Sequence, residues 1–174
     1  RAVIAIARPP RIRQLLPAAS LPAFFDEMAK VHWLCAERLA PDWIVLFDDP
    51  FGASVRSRVE LGTVADWIAA SERGADDVRR ANERCKTMVV IGTRAPHAHR
   101  LFEALARRDS SLAAVGLSLR IEELAVEDVQ RAFATHEEWL ARPAVQRPVW
   151  LIDYGASPAD VGGELGQWNH LHRA

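Results

Sequence analysis

The 174-residue chain has almost no lysine: Lys30 and Lys86 are the only two, although Lys and Arg together number 22. We read that bias as the mark of a GC-rich genome and not of a binding surface. The formal net charge of −1 gives no field for nucleic acid or an anionic membrane. Cysteine is nearly as scarce. Cys35 and Cys85 have no C-x-x-C spacing and read as two reduced, half-buried thiols of a cytosolic protein. No apolar run approaches the roughly 18–20 residues of a membrane span, and no secretory leader is visible, so a cytoplasmic location is expected. Repeats and low-complexity segments are absent too. His97 and His99 flank Ala98 at a helix start and point apart, and His170 and His172 do no better, so no metal site is expected.

What is present is an ordinary soluble composition, 49% hydrophobic and 26% charged, in a length that suits one domain over 1–174. "VIAIA" predicts a buried strand over 2–7. Leu21, Phe24, Phe25, Met28, Val31, Cys35 and Leu39 recur at helical spacing and predict a helix over 21–40, with Ser20 as its cap. "DWIVLF" is a second strand, ending at Asp48-Asp49-Pro50. A helix over 55–71 is expected to break at Gly74, with a polar helix over 76–85 beyond it. "TMVVIG" is a third strand, followed by a helix from Pro96 to Arg108 with Leu101 and Leu105 inward. "SSLAAVGLSLRIEE" reads as either a loop or a short strand. Val126, Val129, Phe133 and Leu140 mark a helix over about 125–142. "PVWLID" is a fourth strand, and a helix over 158–172 follows. Short apolar strands alternating with helices predict an α/β fold with a parallel sheet covered on both faces, a three-layer αβα arrangement. Of six tryptophans, Trp33, Trp67, Trp139 and Trp150 are expected inward. Trp43 and Trp168, near element ends, are expected to serve association.

Four stretches recur in a telling order: "LPAFFDEMAKVHWLCAERL" before "DWIVLFDDPF", "KTMVVIGTRAPHAHRLFEALARRD", "LAVEDVQRAFATHEEWL", and "RPVWLIDY". Over most of residues 21–155 this series resembles the deoxynucleoside kinase family, P-loop proteins that phosphorylate the 5′-hydroxyl of a deoxynucleoside. The resemblance implies a P-loop nucleoside-kinase-like sheet. It also implies an arginine-bearing lid at about 107–124, with Arg107, Arg108 and Arg120 as phosphate contacts, and a substrate side at Arg38, Asp48 and Asp49 in which Asp48 is the residual acidic residue. Under a catalytic reading ATP and Mg²⁺ would be the cofactors.

The corner where that family cradles phosphate is altered. A working P-loop is G-x-x-x-x-G-K-[ST], a nest of backbone N–H groups with a Lys and a Mg²⁺ ligand. Here the first strand runs into Arg8-Pro9-Pro10-Arg11, with no Gly, Lys, Ser or Thr in the turn. Each proline removes an N–H donor and fixes φ near −65°. The family's base-reading Gln falls on Val31, and the Arg expected after the acidic residue at the second strand end is Asp49. Removing one group from a transition-state clamp commonly costs about 10²–10³ in rate, and several are missing together. Arg8, Arg11 and Arg13 could still hold an anion beside a helix dipole, and "VLFDDPFGAS" is also similar to the phosphoribosyltransferase pyrophosphate loop. The expectation is a pseudokinase that binds a protein partner or a second copy of itself, or keeps a nucleoside pocket, and needs no cofactor. The rival is a nucleoside kinase.

Overall fold

The computed structural model describes residues 3–5, 20–51, 62–93, 97–120 and 126–155. The prolines and arginines of 8–11, Arg13, the expected helix over 158–172, Trp168, His170 and His172 lie outside the described residues. Five strands, β1 (Val3–Ala5), β2 (Trp43–Asp48), β3 (Lys86–Gly92), β4 (Ala114–Arg120) and β5 (Val149–Gly155), form one sheet. Among the described residues four helices alternate with them: α1 (Leu21–Leu39), α2 (Val64–Ala81), α3 (Ala98–Leu105) and α4 (Val126–Leu140). All four strand pairs are parallel and the spatial order is β1-β2-β3-β4-β5. The α/β class and parallel sheet are as the sequence implies.

That order follows the chain, so it has no reversal and no topological switch point, the feature that opens a ligand crevice in doubly wound sheets. Right-handed crossovers in sequential order put their helices on one side. The cores agree. Residues of all four helices share one cluster with Ile44, Leu46, Val89, Ile91, Val115 and Leu117. The opposite face carries Trp43, Val45, Met88, Val90 and Ala114, with Trp150 and Ile152 against them, and no described helix joins that cluster.

On the helical side an aromatic nest centres on Trp67, which is fully buried. Its ring meets Phe25 edge-on at 4.9 Å and Phe47 at 5.2 Å, with Phe24 and Phe51 beside it. Burying one such phenylalanine stabilises the fold by about 1.5–3 kcal/mol. A β-bulge between Val45 and Phe47 shifts the β2–β3 register, so that consecutive residues Leu46 and Phe47 both join the helical-side core.

Several expectations are corrected. α2 runs unbroken from Val64 to Ala81, through Gly74. A Cβ there would lie 3.4 Å from a Leu46 methyl and 3.9 Å from His32 Nδ1. The glycine buys close helix–sheet approach against a propensity cost of about 1 kcal/mol. Thr63 caps that helix reciprocally: its Oγ1 accepts from the Asp66 N–H at 3.3 Å, and the Asp66 carboxylate accepts from the Thr63 N–H at 2.7 Å. On α1 the buried stripe is Met28, His32 and Ala36, one step round from the expected one, leaving Val31 and Leu39 exposed. Trp33 is also exposed, as are Phe133 and Leu140 of α4, where His136 and Trp139 turn inward. Trp43 is buried, its ring tilted against that of Trp150 with centroids 4.5 Å apart. Ser20 occupies the α1 cap, yet its hydroxyl makes no capping bond. The ambiguous "SSLAAVGLSLRIEE" holds β4, an interior strand. The stretch 114–120 of the expected lid is therefore a strand paired into the sheet, with Val115 to Leu117 held on both sides.

Candidate functional site at the carboxyl ends of the strands

In parallel α/β sheets ligands gather beyond the carboxyl ends of the strands. β2 delivers Asp48 and Asp49 to that edge. Asp48 pairs in register with Val90 and is exposed. Asp49 follows with φ of 51°, in the left-handed region, and its N–H donates to the Val90 carbonyl at 2.8 Å. β3 ends beside it at Gly92. A Cβ on Gly92 would stand 2.6 Å from Asp49 Oδ1 and 2.7 Å from its Cγ, so the carboxylate lies flat against the glycine and nothing larger fits without moving it.

Next along β3 is Thr93, whose N–H donates to the Ser118 carbonyl at 3.3 Å. Its Oγ1 is buried and has no hydrogen-bond partner among the described residues. Ser118 on β4 is buried as well. His97 opens α3 with φ of 62° and sets its ring 6.3 Å from Phe51, which itself packs on Trp67. Two left-handed non-glycine residues at one strand edge are sparsely populated conformations, each costing of order 1 kcal/mol or more. The group offers two carboxylates and hydroxyls, acceptors for a donor-rich ligand or oxygens for a hard cation. Among the described residues no cluster of three or more His, Cys, Asp or Glu could hold a metal.

The expected site residues do not converge. Arg38 sits in the last turn of α1, which leads into the start of β2. Its Nε pairs with neighbouring Glu37 at 3.2 Å, and its side chain is 76% exposed. The six residues of β2 rise about 3.3 Å each, so Arg38 and the Asp48-Asp49 pair lie at opposite edges of the sheet. The nucleoside pocket expected around Arg38 and Asp48 is not assembled. Arg107 and Arg108 also lie at the amino edge, in the loop between α3 and β4. There Arg107 pairs with Asp109 at 3.2 Å, and both backbone carbonyls accept from the Arg147 guanidinium. Arg120 alone of the expected lid arginines reaches the carboxyl edge, as the last residue of β4, in register with Gly155.

Gly92, Thr93 and Ser118 were not singled out by sequence reasoning. A Gly-Thr pair directly after an apolar strand was the available signal, and it is weak. Both cysteines are free, and burial pushes the Cys85 thiol up to about 11 and the Cys35 thiol up as well, which is the setting of inert thiols. No helix among the described residues is long and apolar enough to cross a membrane. No family model, curated protein or solved structure matches the chain.

Proposed function

We propose that this chain is a non-catalytic, deoxynucleoside-kinase-like protein that works by binding, as a subunit or regulator of a complex. The observation that carries this reading is the separation of its kinase-like side chains. Arg38, Arg107 and Arg108 stand at the amino edge of the sheet, while Asp48 and Asp49 stand at the carboxyl edge. Phosphoryl transfer depends on positioning and on charges converging on one group, and charges about 20 Å apart do not converge. Support for a partner comes from α1, whose outer face exposes Val31, Trp33, Leu34 and Leu39, the last two at 53% and 63%. Val31 and Leu34, one turn apart, are neighbours on that helix and leave apolar surface exposed, which suits association. The finer reading, a three-layer nucleoside-kinase-like unit, is supported by the burial of Met88 and Val90 on the sheet face away from the described helices.

Calorimetry with Mg-ATP and with deoxynucleosides, run beside light scattering, tests the proposal. The expected result is no heat with Mg-ATP, together with a stable oligomer or a stoichiometric co-purifying protein. Saturable Mg-ATP binding at about micromolar strength overturns it in favour of a kinase. Binding of a deoxynucleoside without ATP overturns it in favour of a nucleoside-binding module.

A further inference from the structure

Seen down its axis, α1 has three sides. Met28, His32 and Ala36 face the core. α2 lies along a second side, where Arg73 pairs with Asp26 at 2.5 Å and the Asn82 amide donates to the Ala36 carbonyl at 3.4 Å. The third side carries Glu27, Val31, Leu34 and Arg38, at successive steps of four, three and four residues. At about 100° per residue those steps keep the four side chains in one narrow stripe, the spacing of a two-helix seam. Val31 and Leu34 stand exposed in its middle, at 37% and 53%, with an acid at one end and a base at the other. Arg38 is 76% exposed and pairs with its chain neighbour Glu37 at 3.2 Å, a surface contact worth little that a second carboxylate can displace.

We propose that this seam joins two copies of the chain, their α1 helices packed antiparallel across a two-fold axis. The stripe is its own complement. With the axis between residues 32 and 33, Val31 meets Leu34 of the second copy and Glu27 meets its Arg38, and each contact occurs twice. A parallel pair would set Glu27 against Glu27 and Arg38 against Arg38, and like charges at both ends oppose that arrangement. The same reciprocity selects a second copy over a foreign helix, which needs no acid and base equidistant from one centre. A crossing angle near 20° keeps the stripes in contact along about 16 Å. One helix from each copy covers less than the roughly 1,200 Å² of a standard interface, so the dimer is a weak, exchanging one. The inference rests on the binding reading above for its role and names the partner as a second copy.

Sedimentation velocity of the full chain, from about 1 to 300 µM at low salt, tests the seam. The parent is expected to dimerise at about 10–100 µM, and less tightly as salt rises. Leu34→Asp should leave a monomer throughout. Glu27→Arg and Arg38→Glu should each weaken the dimer about tenfold or more, since each puts like charges at both ends of the seam. Mixing those two single variants, or combining both swaps in one chain, restores opposite charges and should recover the parent's affinity. Leu39→Asp, at a position 63% exposed but about 100° round the helix from Arg38, should leave the dimer as in the parent. A parent that stays monomeric, a dimer that Leu34→Asp leaves intact, or charge swaps whose mixture does not re-associate overturns the inference. If a monomeric parent holds a co-purifying protein that Leu34→Asp releases, the second copy is wrong and the binding reading survives. Saturable Mg-ATP binding by a chain whose seam dimer is intact removes that reading and leaves the seam.

Discussion

At the amino edge of the sheet, side chains reach across to tie down the backbone; at the carboxyl edge, the backbone itself takes the unusual shapes. The amino edge is stitched. Glu72 accepts from the Ser110 hydroxyl at 2.7 Å and the Ser111 N–H at 2.6 Å. Arg147 donates to the carbonyls of Arg107, Arg108 and Ser110, and the backbone N–H groups of Gln146 and Arg147 share the Ala106 carbonyl. Ala40, left-handed there, is the C-cap of α1, an ordinary place for that conformation. The carboxyl edge instead holds Asp49 and His97 at positive φ, a carboxylate pressed on Gly92 and a buried Thr93 hydroxyl with no partner among the described residues. Strain gathered where ligands bind in such sheets points to use, and stitching points to scaffold. The arginines of the first edge are thus best explained by what they hold within the chain.

The largest effect is expected between the edges, on the helical face. His32 has a folded pKa of about 4 against 6.5 unfolded. Its neutral form is favoured by folding, so its stability is fully present above about pH 6.5 and is lost as pH falls toward 4. Lowered by burial too, the pKa of His136 acts in the same direction. The loss from His32 approaches about 3 kcal/mol at 1.36 kcal/mol per unit, and urea midpoints across that window, compared with His32→Phe, would measure it. A flat profile would remove the buried imidazole from the account. Next comes the stitched edge, where Glu72→Ala should cost about 2 kcal/mol by orphaning the Ser111 N–H; chemical denaturation reads this directly.

At the carboxyl edge, Gly92→Ala should cost about 1–2 kcal/mol, because the new methyl displaces the Asp49 carboxylate. If it cost nothing, that carboxylate would be mobile and the edge would not be preorganised. Smallest is His97→Gly, which relieves a left-handed backbone and should change thermal stability by under about 1 kcal/mol. Any ligand of the carboxyl edge, once found, should nonetheless bind this variant more weakly through its loosened Phe51 contact.

The strands were legible because β-branched apolar runs are a local signal, and so were α1, α3 and the acidic end of β2. What escaped notice depends on neighbours distant in the chain. Gly74 looks like a break until Leu46 is placed against it. Val31 and His32 exchange roles because a 3.6-residue repeat leaves the rotation of a helix uncertain by one position, and a histidine does not read as core. β4 is masked by its small residues, and Trp43 by its place at a strand start. Convergence was least legible. Arg38 and Asp48 are ten positions apart in sequence, yet a whole strand runs between them, whereas Asp49 and Gly92 touch across forty-odd residues.

The bulge in β2 acts as a shift of phase. With plain alternation Leu46 would align with Val89 and Phe47 with Val90, turning the Phe47 ring away from Trp67 and moving Asp48 one position along β3. The extra residue cancels that offset, so a single inserted position sets both which ring completes the aromatic nest and which way the acidic terminus faces. Deleting Leu46 would therefore remove the bulge while leaving Phe47 opposite Val89 and Asp48 opposite Val90, so the loss would fall on the core that Leu46 fills and not on the acidic tip.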